Sequence, residues 1–128
     1  MLFNLIALSS LFGSILATPL DLGLEKRQSC PSVHVFGARG TTVPPGYGLT
    51  ITIVNEILSA YPGSTSEAIT YPACGGQSSC GGASYSSSVA QGIQAVASAV
   101  NAYNSKCPQT KLVLIGYSQV SHEHCCLS

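Results

Sequence analysis

Gly116-Tyr117-Ser118-Gln119 follows directly on the apolar run Lys111-Leu112-Val113-Leu114-Ile115. A serine two residues after a glycine, on a sharp turn from a strand into a helix, has its hydroxyl lifted above the sheet edge, where it can attack an acyl carbon. Glycines flank such a serine because a side chain there would collide with the neighbouring strand and helix. The backbone N–H that follows, here on Gln119, would point at the oxyanion formed in the attack. The complete motif is G-x-S-x-G, and Val120 stands where the second glycine belongs. Taken alone, the four residues fit an ordinary turn serine equally well.

A serine nucleophile needs a base to take its proton and an acid to orient that base. After Ser118 the sequence offers His122, Glu123 and His124 and no Asp. The helix after an elbow carries the chain away from the hydroxyl, so a substitute triad from these residues is not expected. His122, His124, Cys125 and Cys126 also have the side-chain types that bind zinc or copper. Structural zinc sites draw ligands from separated turns, and adjacent cysteines rarely face one ion, so no metal is expected. His34 lies inside a strand-like run and reads as a packed, hydrogen-bonded histidine rather than a general base.

The elements that must position Ser118 form an alternating series. Residues 32–36 are β-branched and end at Gly37, a first strand. Residues 42–48 carry two prolines and two glycines and form a loop. Residues 49–61 read as a helix with Leu49, Ile53, Ile57 and Tyr61 along one face, stopped by Pro62-Gly63. Residues 67–71 form a second strand ended by Pro72, and residues 73–85 a Gly/Ser/Cys loop. Ser86, Ser87 or Ser88 then caps a helix whose Val89, Ile93, Val96, Val100 and Tyr103 fall on one stripe, ending near Cys107-Pro108. Residues 111–115 are a continuous apolar run, as in a parallel strand buried on both faces. The order β-α-β-α-β predicts right-handed crossovers and a layered α/β fold.

Composition narrows the function. With 45% hydrophobic and 8% charged residues, the 128-residue chain is no disordered segment, and its length allows one domain at most. Formal net charge is zero, with no basic cluster beyond Lys26-Arg27, so nucleic acid is not expected as a partner. Residues 2–16 are largely apolar, with Ala17 suited to cleavage, which predicts a signal peptide over 1–17; the stretch is short for a membrane span. Residues 18–27 read as a propeptide ending at Lys26-Arg27. All six cysteines lie beyond it in an oxidising compartment, so disulfides are expected, and four cysteines can pair in three ways.

From Cys30 to Gln119 the chain resembles the fungal cutinase family, most closely its acetylxylan esterases. The resemblance is carried by Cys30-Pro-Ser-Val-His-Val-Phe-Gly-Ala-Arg-Gly-Thr-Thr, by Tyr71-Pro-Ala-Cys-Gly-Gly-Gln-Ser-Ser-Cys-Gly-Gly-Ala-Ser-Tyr, and by Gly116-Tyr-Ser-Gln. It implies a secreted α/β-hydrolase-like fold: a three-layer sandwich on a parallel sheet, present here only as its β-α-β-α-β part over residues 28–119. It also implies hydrolysis of carboxylic esters, in this branch acetyl groups on xylan, with no cofactor and a monomer at full length. By the same resemblance Ser118 is the nucleophile and Gln119 a backbone oxyanion donor. Thr41 is the second donor, through backbone and hydroxyl, and the cysteines pair as Cys30–Cys107 and Cys74–Cys80. A cutinase acting on fatty-ester polymers and a non-catalytic secreted binding fragment are the alternatives.

The family places its Asp and His well downstream of the serine, and residues 120–128 match none of its pattern. The expectation is therefore a chain cut just after its nucleophile and inactive as it stands. Val-Ser at 120–121 can be encoded by a splice-donor sequence, so translated intron is the expected origin of the tail. Without later strands, residues 111–115 would form an exposed apolar edge, prone to pair with other chains.

Overall fold

The chain is described by a computed structural model over residues 29–119. The expected signal peptide, propeptide and tail, with His122, His124, Cys125 and Cys126, lie outside the described residues.

Three strands form one sheet: β1 (Val33–Ala38), β2 (Thr65–Ala68) and β3 (Lys111–Gly116), with helix α1 (Ile51–Ala60) between β1 and β2 and helix α2 (Tyr85–Lys106) between β2 and β3. All pairings are parallel and the spatial order is β2-β1-β3. The chain thus steps from β1 to one side, then crosses back past β1 to the other. Crossovers of one hand running in opposite directions put their helices on opposite faces of the sheet. The core shows this alternation. Phe36 and Ala38 pack with Val96, Leu112 and Leu114 beneath α2, whereas Val33 and Val35 pack with Val54, Ile57, Val113 and Ile115 beneath α1. Burying a side chain such as Phe36 or Val54 stabilises the fold by about 1.5–3 kcal/mol. The layered parallel architecture expected from the sequence is present.

The boundaries and faces differ in instructive ways. The second strand is Thr65–Ala68 rather than 67–71. Ile69 still donates its N–H to Gly37 O at 2.9 Å, but the chain then leaves the ladder so that Ile69 and Tyr71 plug the core under α2. The apolar alternation there marks burial, not pairing. Thr50 just before α1 and Val54 within it are buried, with Ile57 and Leu58 half-buried beside them, while Leu49, Ile53 and Tyr61 are exposed; of the expected face only Ile57 turns inward. Gly37 admits no side chain because a Cβ there would lie 2.5 Å from the Tyr47 ring.

The cap of α2 is Ser84, two to four residues before the serines expected to serve. Its Oγ accepts from the Ser87 N–H at 3.1 Å, and Ser88 is instead buried inside the first turns. Ser84→Ala is expected to cost about 1 kcal/mol, read as a lower denaturation midpoint at unchanged slope.

Strand β3 is only half-buried, where burial on both faces was expected. Among the described residues its far edge has no strand beside it, so its side chains, though packed on both faces of the sheet, are covered only from the β1 side. The Cys30–Cys107 bridge, with Cα atoms 5.5 Å apart, ties the start of the described chain to the end of α2. Thr110 Oγ1 donates to Pro31 O at 2.6 Å beside it, closing the lower end of the sheet.

Candidate active site

In parallel sheets the strands' carboxyl ends, at the point where the strand order reverses, form the natural crevice. Here that point lies between β1 and β3, and the loops leaving them are residues 39–43 and 117–119. Ser118 follows Gly116, the last residue of β3, and is exposed at φ 62° as it enters a helical turn. A positive φ is unfavourable for any residue with a Cβ and is held only where the surroundings over-determine it. Gly40, after β1, lies directly against this turn. A Cβ at Gly40 would sit 3.3 Å from Tyr117 Cδ1 and 3.6 Å from Ser118 Cβ, so the loop and the turn lie within a side chain's thickness of each other and a larger residue would crowd the Tyr117 ring. Thr41 is the next residue, half-buried, and its methyl would meet a Cβ at Gly75 at 3.4 Å. The structure thus brings Ser118, Gln119 and the Gly40-Thr41 loop to one end of the sheet.

That loop is fixed by contacts the sequence did not announce. Arg39 is buried, and its guanidinium donates to Val43 O at 2.8 Å and Tyr71 O at 2.6 Å. The Tyr71 hydroxyl donates back to Arg39 O, and the guanidinium carbon lies 5.2 Å from the centre of the Tyr71 ring. Thr42 donates its N–H to Ala73 O at 2.7 Å. Thr42 and Ala73 are themselves at positive φ, 65° and 50°, so the strained non-glycine residues among those described all gather at this end of the sheet. No local pattern marks Arg39 as a clasp, because its partner is 32 residues away.

Gln119 brings in the short disulfide. Its side chain is fully buried, and Nε2 donates to Cys74 O at 3.1 Å; Cys74 is bridged to Cys80 with Cα atoms 5.5 Å apart. Cys30 and Cys107 sit at the opposite end, away from Ser118. The two bridges are those that the resemblance implies.

His34 is not a partner of Ser118. It pairs with Leu112, four residues below Gly116, or about 13 Å down the strand. Its Nδ1 meets Thr65 Oγ1 at 2.6 Å, and its ring stacks on Tyr103 with centroids 3.8 Å apart. Burial holds its pKa below the usual 6.5, with the half-exposed Glu67 carboxylate 3.7 Å from Nε2 as the nearest countercharge. Because the folded state resists protonation, the unfolded chain takes up the proton first. Its contribution to stability is therefore complete above about pH 6.5 and lost as pH falls towards the lower folded value. His34→Gln, which keeps a group for Thr65 but does not titrate, is expected to flatten the fall in stability between pH 7.5 and 5. Denaturant melts of both proteins across that range check the difference.

The serine turn, the glycine contact and the parallel sheet meet an independent match: the cutinase family model covers residues 29–123. The chain belongs to the cutinase family. The match runs four residues past Gln119, where the quoted motifs end. This cutinase-family chain is 75% identical over 103 residues to acetylxylan esterase 2 of Talaromyces purpureogenus, across 80% of this chain and 44% of that protein. It is 65% identical over 111 residues to cutinase 11 of Verticillium dahliae, across 87% of this chain and 38% of that one. An iodinated acetyl xylan esterase superposes with a TM-score of 0.73 at 73% identity, covering 75% of this chain and 46% of the other. The cutinase-family chain thus spans less than half the length of the relatives it matches.

Proposed function

We propose that this chain carries the nucleophile and oxyanion donors of a secreted serine carboxylic ester hydrolase that removes acetyl groups from xylan. The observation that supports the reading best is Ser118: exposed, at φ 62°, at the carboxyl end of β3 and against Gly40. In the proposed reaction Ser118 Oγ passes its proton to a base and attacks the acyl carbon, and the oxyanion is received by the Gln119 N–H and by Thr41. The ester C–O bond then breaks to release the reprotonated sugar hydroxyl, and water hydrolyses the acyl-serine to acetate. A base and an acid complete the site; His34 is the one histidine among the described residues, and it faces elsewhere. The two disulfides fit an extracellular protein, as does the apolar segment expected to be a signal peptide.

Hydrolysis of fatty-ester polymers is the second reading, favoured by the likeness to the Verticillium cutinase. Assay of the full-length gene product on acetylated xylan and on esters of increasing acyl length separates the two. Acetyl preference is the expected result. A rate rising with chain length would transfer the assignment to the cutinase reading, and no hydrolysis of any ester would remove both.

A further inference from the structure

The Gln119 side chain is 0% exposed although the residue before it is exposed. Burying a primary amide is unfavourable unless its polar atoms are bonded, and here each of them is. Nε2 donates to Cys74 O at 3.1 Å and to Tyr85 O at 3.4 Å, while Oε1 accepts from Ser88 Oγ at 3.2 Å. Ser88 Oγ, also 0% exposed, accepts in turn from the Cys74 N–H at 2.9 Å. The Cys74 backbone is thus gripped on both sides, its N–H by Ser88 and its C=O by Gln119.

The two anchors are stiff for independent reasons. Cys74 is bridged to Cys80, and their loop is tied further by Gly76 N–H to Ala83 O at 2.8 Å and Gly82 N–H to Gln77 O at 2.9 Å. Tyr85 and Ser88 belong to the first turns of α2. A planar peptide joins Ser118 to Gln119, so clamping the second residue restrains the backbone of the first. Ser118 at positive φ needs such restraint.

We propose that the Gln119 side chain is a positioning residue: held by Cys74, Tyr85 and Ser88, it sets the Ser118–Gln119 peptide, whose N–H would receive the oxyanion, against the loop closed by Cys74–Cys80. The proposal rests on the esterase reading above. It also gives the short disulfide a role, as the fixed support of that donor.

The test uses the full-length gene product with Gln119→Glu, Gln119→Leu and Ser88→Ala, and Ser118→Ala as reference. Readouts are kcat and KM on 4-nitrophenyl acetate, and amide hydrogen exchange of peptides covering residues 73–75 and 117–119. Gln119→Glu keeps an acceptor for Ser88 and loses both donors. The two Gln119 variants are expected to lose about 10- to 100-fold in kcat with KM changed less than about threefold, as a misplaced donor predicts. Exchange at both segments should quicken together. Ser88→Ala combined with Gln119→Leu should cost less than the product of the single losses, since both break one network. A variant that melts cooperatively with kcat within about twofold of the parent would overturn the proposal, as would a loss carried wholly by KM. If Gln119→Leu does not fold, Ser88→Ala, which removes a single hydroxyl, bears the same criteria. Failure of the esterase reading looks different: Ser118→Ala then leaves hydrolysis unchanged. In that case the exchange data alone decide, and unaltered exchange at 117–119 in Gln119→Glu sinks the proposal.

Discussion

Ser118→Ala is expected to lower kcat of the full-length gene product on acetyl esters by about 10⁴- to 10⁶-fold, with KM little changed. The size follows from what the hydroxyl does. In the proposed reaction it forms the covalent bond to the acyl carbon, so its removal would leave only water attack assisted by the oxyanion donors, a residual catalysis still well above the uncatalysed rate. The loss belongs in kcat because a single exposed hydroxyl contributes little to binding a ground-state ester. The turn itself should survive: an alanine at φ 62° is as strained as the serine, and the Gly40 contact is made through Cβ, which alanine keeps. Steady-state kinetics beside a denaturation curve make the comparison. A stable Ser118→Ala protein that retained more than about 1% of parental turnover would remove Ser118 from the reaction.

Replacing Cys30 and Cys107 together by serine is expected to cost about 4–5 kcal/mol, because the bridge closes a loop with a sequence separation of 77 and its loss frees the unfolded chain most. Small domains have only about 5–15 kcal/mol in total, so the variant should melt roughly 20 °C lower or fail to fold at 37 °C. The neighbouring contacts amplify the effect. Lys111 N–H donates to Ser32 O at 3.0 Å and Thr110 Oγ1 to Pro31 O at 2.6 Å, and both depend on residues 31–32 staying beside the start of β3. The Cys74–Cys80 bridge, with a sequence separation of 6, is worth about 2 kcal/mol on the same reasoning. Urea melts of the two double-serine variants test the ranking. A smaller loss for the long bridge than for the short one would contradict the loop-closure account. If the short bridge supports the Ser118–Gln119 peptide, its removal should instead show chiefly in turnover.

Much of the scaffold could be read locally. The unbroken apolar run at residues 111–115, the four-three stepping of Val89 to Tyr103, and the prolines and glycines between elements depend only on near neighbours along the chain. They yielded a parallel α/β order with Ser118 at a strand's end. What failed was everything that needs to know which neighbour lies across the fold. Leu49, Ile53 and Tyr61 step correctly for a helix, yet Val54 faces in, because Val33 and Val35 on β1 decide which side is covered. Ile69 and Tyr71 alternate as in a strand, yet they leave the ladder to fill space under α2.

By itself the sequence determined the kind of sheet, the order of its elements, the family motifs and the place of Ser118 just beyond a strand's end, because these rest on periodicity and short-range turn chemistry. Only the tertiary structure decided that Gly40 abuts Ser118, that Arg39 clasps Tyr71, and that the Gln119 side chain turns inward onto Cys74 and Ser88. Those contacts join residues 31 to 78 positions apart. A hydrogen bond or a close backbone approach over such distances leaves no periodic trace in the chain; it exists only once packing has brought its two ends together.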